Sequence, residues 1–190
     1  MDRFDAGPQP GGRAPAPGRL GFVQAFCNSF WRLGDGGEDA WADDAGFAAW
    51  MGARGFAGPG DRSGAVALRE ALRDLFRAHN AHGDVAGAER ALDAHAAPAV
   101  LIPHVATGAL EPAAHTPAGA CALALGIVVV ARADGSLARL KACPHEHCGW
   151  VFHDTSRNRS GQWCSMRVCG NRTKGAAFRE RHRPRENHRS

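Results

Sequence analysis

CPHEHCGWVFHDTSRNRSGQWCSMRVCGNR, residues 143–172, decides how the chain is read. It carries four of the six cysteines in two matched units, Cys143 with Cys148 and Cys164 with Cys169. Each unit is C-x4-C followed directly by glycine. Four thiols in two close pairs, bridged by a short segment, fit a closed tetrahedral zinc site. Residues five apart on an α-helix point about 140° from each other. Neither pair can therefore aim both sulfurs at one ion from a regular helix, and each is expected on a turn that folds the chain around the metal. Gly149 and Gly170 let backbone amides approach the sulfurs and tolerate positive φ. Such amides offset the local charge of about −2 that four thiolates leave around one zinc. Two disulfides are the alternative for an oxidising compartment. His145, His147 and His153 are candidate substitutes, expected outside the ligand shell because four cysteines already complete it.

These residues carry a resemblance. Cys169-Gly170-Asn171-Arg172, with the CGWVF, SRNRS and WCSM segments around it, resembles the CGNR zinc finger over roughly the last fifty residues. The resemblance implies a DNA-binding zinc module of bacterial transcriptional regulators, usually preceded by an ABATE domain. The family commonly has two arginines before the Trp-Cys pair, where this chain has Gly161 and Gln162.

Working outward, the charge divides unevenly. From Arg139 onward there are 12 Lys and Arg against 4 Asp and Glu, a balance of +8. The part before it has 11 against 15, a balance of −4, and the two give the +4 of the whole chain. A basic end on an acidic body suggests that this end meets a polyanion. Asp2 and Asp5 stand where a secretion signal would be basic, and the longest apolar run, residues 120–131, is too short to span a bilayer. A soluble cytoplasmic protein without a membrane partner is the expectation.

Residues 1–18, rich in Gly, Pro and Ala, read as a disordered leader. Residues 19–136 read as a helical ABATE-like domain, 137–184 as the zinc finger and 185–190 as a basic tail. The fold class is mainly α with a small β-hairpin, followed by a four-cysteine zinc module of treble-clef-like or ribbon-like form. Apolar spacing predicts a helix from Leu20 through Trp31, and a second after Asp43 or Asp44. Ser63 is the expected cap of the clearest helix, which runs to about His82. Arg69, Glu70, Arg73, Asp74 and Arg77 form its expected wet face. Asp84 caps the next helix. A hairpin turns at Thr107-Gly108, and residues 120–131 form a buried helix beginning near Pro117. Trp150-Val151-Phe152 and Gln162-Trp163 read as two strands, and Asn171 as the cap of a last helix. Trp41, Phe47, Trp50, Cys27 and Cys121 are read as core.

The expected function is a zinc-dependent DNA-binding transcriptional regulator. One structural zinc per chain is held by Cys143, Cys148, Cys164 and Cys169. Double-stranded DNA is met by Arg157, Arg159, Arg172, Lys174, Arg179, Arg181 and Arg183. The helical body either senses a small-molecule effector or forms a homodimer. A closed tetrad leaves no open position for zinc catalysis, and no Ser-His-Asp set, phosphate loop or dinucleotide fingerprint occurs, so an enzyme is not expected. The alternatives are a zinc-stabilised protein- or RNA-binding module and a thiolate redox switch.

Overall fold

The structure is a computed structural model and describes residues 2–33, 36–81, 83–146 and 148–175. Arg179, Arg181, Arg183, His147 and the basic tail lie outside the described residues. The helical body comprises α1 (Leu20–Cys27), α2 (Asp44–Gly52), α3 (Arg62–Ala81), α4 (Val85–Ala96) and α5 (Pro117–Ala133). Three antiparallel two-stranded ribbons complete it: β1 (Phe30–Leu33) with β2 (Gly36–Asp39), β3 (Leu101–His104) with β4 (Ala109–Pro112), and β5 (Leu140–Ala142) with β6 (Val151–His153).

The core is built on α1, α3 and α5. Every residue of α1 is buried, and α3 sinks Leu68, Leu72, Leu75 and Phe76. Fully burying a side chain of that size is worth about 1.5–3 kcal/mol. The run at 120–131 is helical, as its length suggested, because Thr116 caps it and Pro117 pre-sets its first turn. Phe26, Phe47 and Trp50 meet the buried Trp41 edge-on at 4.8–5.5 Å, so the aromatics fill core. Asp43 and Asp84 cap α2 and α4 as expected. Asp61, not Ser63, caps α3, accepting from the Gly64 amide and the Ser63 hydroxyl.

Three local expectations are corrected. First, α1 stops at Cys27, and Phe30 and Trp31 belong to β1, although their spacing continues the helical stripe. Ser29 Oγ donates to Phe26 O, and Asn28 uses its side-chain amide elsewhere, so the chain leaves the helix there. Second, Arg69 and Arg73 are not on a wet face; they are 3 % and 2 % exposed. Arg69 grips Asp39 with two nitrogens at 2.8 and 3.1 Å, and Arg73 donates to the carbonyls of Cys27 and Phe30. These two guanidinium groups fasten the α1–β1 junction to α3.

Third, residues 2–18 pack on the body. Ala16 is buried, and its amide donates to the buried Gln24 side chain. Gln9 bonds Gln24 and receives the Trp150 indole N–H, and Arg13 donates to three carbonyls. The segment is fixed by hydrogen bonds instead of an apolar stripe, which is why composition suggested disorder. Gly11 shows the closeness of the fit: it has φ of 68°, and a Cβ there would sit 2.5 Å from Ser165 Oγ. Deleting residues 2–18 is therefore expected to cost about 2–3 kcal/mol, mainly from charge-assisted hydrogen bonds, and to lower the melting temperature by about 5–10 °C. A thermal melt within a degree or two of the full chain would contradict the docking.

Candidate metal centre

The centre forms where the basic end meets the body. β5 lies along α3, with His79 Nδ1 3.0 Å from Leu140 O and Asn80 Nδ2 donating to Ala142 O at 2.7 Å. The outer edge of β6 is closed by Asn28, whose amide both accepts from Val151 N and donates to Val151 O, each at 2.8 Å. That side chain does for β6 what a neighbouring strand would. Leu140, Ala142 and Val151 lie in the same core as α1, α3 and α5.

The first pair of cysteines sits in the turn between β5 and β6. Cys143 N donates to Trp150 O at 2.8 Å, extending the ribbon by one pair. Cys148 N bonds His145 O, and Gly149 takes φ of 62°, the conformation anticipated for it. The second pair straddles a helix start. Ser165 caps it, accepting from Val168 N, and the first turn, Met166–Gly170, is a widened π turn in which Gly170 N reaches Ser165 O. Helical conformation continues through 171–175. The offset of five that a regular α-helix could not use is accommodated by placing Cys164 before the helix and Cys169 inside its widened turn. Gly170 does not take positive φ, and a Cβ there would meet the flexible end of the exposed Met166 side chain, 2.7 Å from its Sδ. One knuckle in a ribbon turn and one at a helix start is treble-clef-like in form. Asn171 lies inside the helix, its amide bonded to Met166 O, and is not the N-cap, which is Ser165, and Gln162-Trp163 is not a strand. Its carbonyls are taken by Asn80 and Arg13 side chains, not by a strand partner.

The four sulfurs converge. All lie within 4.8 Å of one another, and Cys164 Sγ is 3.6 Å from both Cys148 Sγ and Cys169 Sγ. A zinc–sulfur bond of about 2.3 Å implies a tetrahedral edge of about 3.8 Å, so the donor set fits zinc in both chemistry and size. A disulfide needs about 2.05 Å, and all six cysteines are free thiols. All four are buried, with Phe152, Trp150, Trp163 and Val168 around them. Hydrogen bonds from the Cys148 and Cys164 thiols pull Cys143 below the usual thiol range. Proton sharing with Cys143 pushes Cys148 and Cys164 up, and burial does the same to Cys169. Thiols this close cannot all ionise without a cation between them. Cys27 and Cys121, outside the cluster, are pushed to about 12 by burial, consistent with core filling.

A family model for the CGNR zinc finger matches residues 139–182. A second, described as "Putative stress-induced transcription regulator" (ABATE), matches residues 21–140, well over half of the chain. The chain belongs to the ABATE family. Its ABATE domain and CGNR finger meet within β5, the strand laid along α3, so the two matched regions share one core. No curated protein matches the chain. A zinc-binding member of a regulator family is what the two matches and the four converged cysteines support. No helix among the described residues is long and apolar enough to cross a membrane.

The basic residues divide in two. Arg172 and Lys174 are exposed on the helix that starts at the centre. Arg157 is exposed on the loop of residues 154–161, which Lys141 and Asp154 organise from within. Arg159 is on the same loop but lines a cleft of about 330 Å³ with His79, Glu89 and Arg132, on the side of the body. Sequence reasoning misses two residues. Arg167 is exposed inside the second x4 gap, where the cysteines on either side dominate the pattern. Arg13 lies some 150 positions from the carbonyls it binds, and nothing local to it signals the contact.

Proposed function

We propose that this ABATE protein is a transcriptional regulator that binds duplex DNA through the finger, with zinc holding the reading surface in shape. One observation carries the reading. Residues 155–175 contain Arg157, Arg159, Arg167, Arg172 and Lys174 and no carboxylate, and the helix beginning at the cysteine cluster exposes three of these cations. Those cations are positioned by the same turn that holds Cys169. The zinc is structural, since four protein ligands leave no place for substrate. An effector role for the body draws support from a cleft of about 420 Å³ between α4 and α5, lined by Leu92, Leu125, Val128 and Val129 with Arg90 and Asp93 beside them.

The test is duplex binding by fluorescence anisotropy across a salt series. Log affinity falls by about 0.9 per neutralised phosphate for each decade of salt. Replacing Arg172 and Lys174 by Ala is expected to flatten that slope by up to ~2. Replacing Arg157 and Arg159 is expected to flatten it by only ~1, because Arg159, though exposed, lines the cleft beside Glu89. Gln162→Arg is expected to strengthen binding: the side chain is exposed and its carbonyl contact to Asn80 is retained. Gly161→Arg is not an equivalent test, because a Cβ at Gly161 would come within 2.6 Å of Asp154 Oδ1. Zinc-loaded protein without duplex binding at low salt, unchanged by Gln162→Arg, would overturn the DNA reading in favour of a protein- or RNA-binding module.

A further inference from the structure

The amino-terminal segment meets the backbone of a ligand cysteine through Arg13. Arg13 Nε donates to Cys164 O at 3.0 Å, Nη2 to Trp163 O at 2.9 Å and Nη1 to His153 O at 3.1 Å. Its guanidinium carbon lies 4.7 Å from the centre of the Phe152 ring. Phe152 is wholly buried and packs among the four cysteines. One side chain thus joins the end of β6 to the residues that lead into the second knuckle. Both neighbours in the segment reinforce its position. Gln9 holds the Trp150 indole at 3.0 Å, and Gly11 lies against Ser165, the cap of the knuckle helix.

We infer that Arg13 is a positioning residue of the zinc centre, and that the finger's outer shell begins in residues 9–16, far outside the matched finger. The inference rests on the zinc reading and adds to it. Two physical contributions follow from the geometry. The fork of N–H donors fixes the carbonyl of a ligand cysteine and that of its neighbour, which holds the Cys164 backbone in the orientation its thiolate requires. A cation also stands beside a cluster whose thiolates leave an excess of about two negative charges with zinc bound. Groups that orient ligands in this way are typically worth about 10–100-fold in metal affinity.

The experiment measures zinc affinity of the full chain by competition with a chromogenic chelator, together with helix content and melting temperature. Wild type is expected to hold about one zinc. Arg13→Ala is expected to lose about 10–100-fold in affinity with helix content intact at 25 °C. Arg13→Lys keeps the charge but cannot span three carbonyls, so it is expected to recover only part of the loss. The control is Arg69→Ala, which breaks the buried grip on Asp39 away from the centre. It is expected to lower the melting temperature while zinc affinity stays within a factor of about two of wild type. Arg13→Ala and Arg13→Lys affinities both equal to wild type would overturn the inference and leave the zinc reading standing. Equal loosening by Arg69→Ala would also overturn it, showing that affinity tracks general stability. A wild-type chain that holds no zinc would overturn the zinc reading and this inference with it.

Discussion

Cys164→Ala is expected to reduce zinc from about one per chain to nearly none and to unfold the finger. The same outcome is expected for Cys143→Ala, Cys148→Ala and Cys169→Ala. Cys164 is the most informative because its sulfur lies 3.6 Å from two of the other three and its carbonyl is held by Arg13. The finger has only a small cluster of its own, Phe152 with Trp150, Trp163 and Val168 around the cysteines. Apparent binding free energies of structural zinc in small fingers run to about 10–16 kcal/mol, and where the site forms only on folding this is folding free energy. Losing one thiolate opens the shell and removes most of that contribution. Because Leu140, Ala142 and Val151 also belong to the main core, the damage extends to the contact with α3. A fall in melting temperature of more than about 10 °C is expected, beyond what one ordinary core truncation gives. Cys27→Ala and Cys121→Ala should keep full zinc. Metal analysis of each purified variant decides: a full complement in Cys164→Ala means that the ligand set is wrong.

The cysteine cluster was legible because its signal is local. Two C-x4-C units state the ligands, and glycine after each states a tight turn. The long helices were legible for the same reason, since apolar spacing at Leu68, Leu72, Leu75 and Phe76 repeats with the helical period. What failed was set by partners distant in sequence. Arg69 and Arg73 look like a solvated face until Asp39 and the carbonyls of Cys27 and Phe30 are placed against them. Residues 2–18 have no period because side-chain hydrogen bonds, not an apolar stripe, dock them. Phe30 and Trp31 keep the helical spacing of α1 but turn into a ribbon, where Trp31 meets Trp150 edge-on at 6.2 Å. Gln162-Trp163 has the composition of a strand but satisfies its backbone with Asn80 and Arg13. In each case tertiary contacts, mostly polar, decided the outcome, and such contacts leave no pattern in a single sequence.

Breaking the Lys141–Asp154 pair is expected to cost about 3–5 kcal/mol, the usual penalty for stranding one partner of a buried ion pair. Lys141 is on β5 and Asp154 follows β6; the side chains are 6 % and 0 % exposed and meet at 2.8 Å. Lys141 Nζ also donates to the carbonyls of Arg159 and Gly161, which uses all three of its donors. Asp154 accepts from the amides of Ser156 and Gly161, each at 2.9 Å. Burial pushes the Asp154 carboxyl up, but bonds from Lys141 and Ser156 outweigh it and hold it down at about 2. The folded value is below the ordinary one, so its contribution is complete above about pH 4 and disappears as pH falls toward 2. Lys141→Met leaves the carboxylate without a cation, and Asp154→Ala leaves the buried ammonium without its counter-charge and two loop amides without an acceptor. Each is expected to lower stability at neutral pH by several kcal/mol, measured by denaturant unfolding. The double variant is expected to lose little more than either single one, because both remove the same network. The loop of residues 154–161 is closed around this pair, so Arg157 should lose its fixed position. In the salt series the slope of duplex binding is then expected to flatten by ~1 in Lys141→Met, with zinc retained. Single variants within about 1 kcal/mol of wild type would show that the loop is organised by Arg139 instead, which donates to the carbonyls of Asp154 and Ser156 at 2.9 and 3.1 Å.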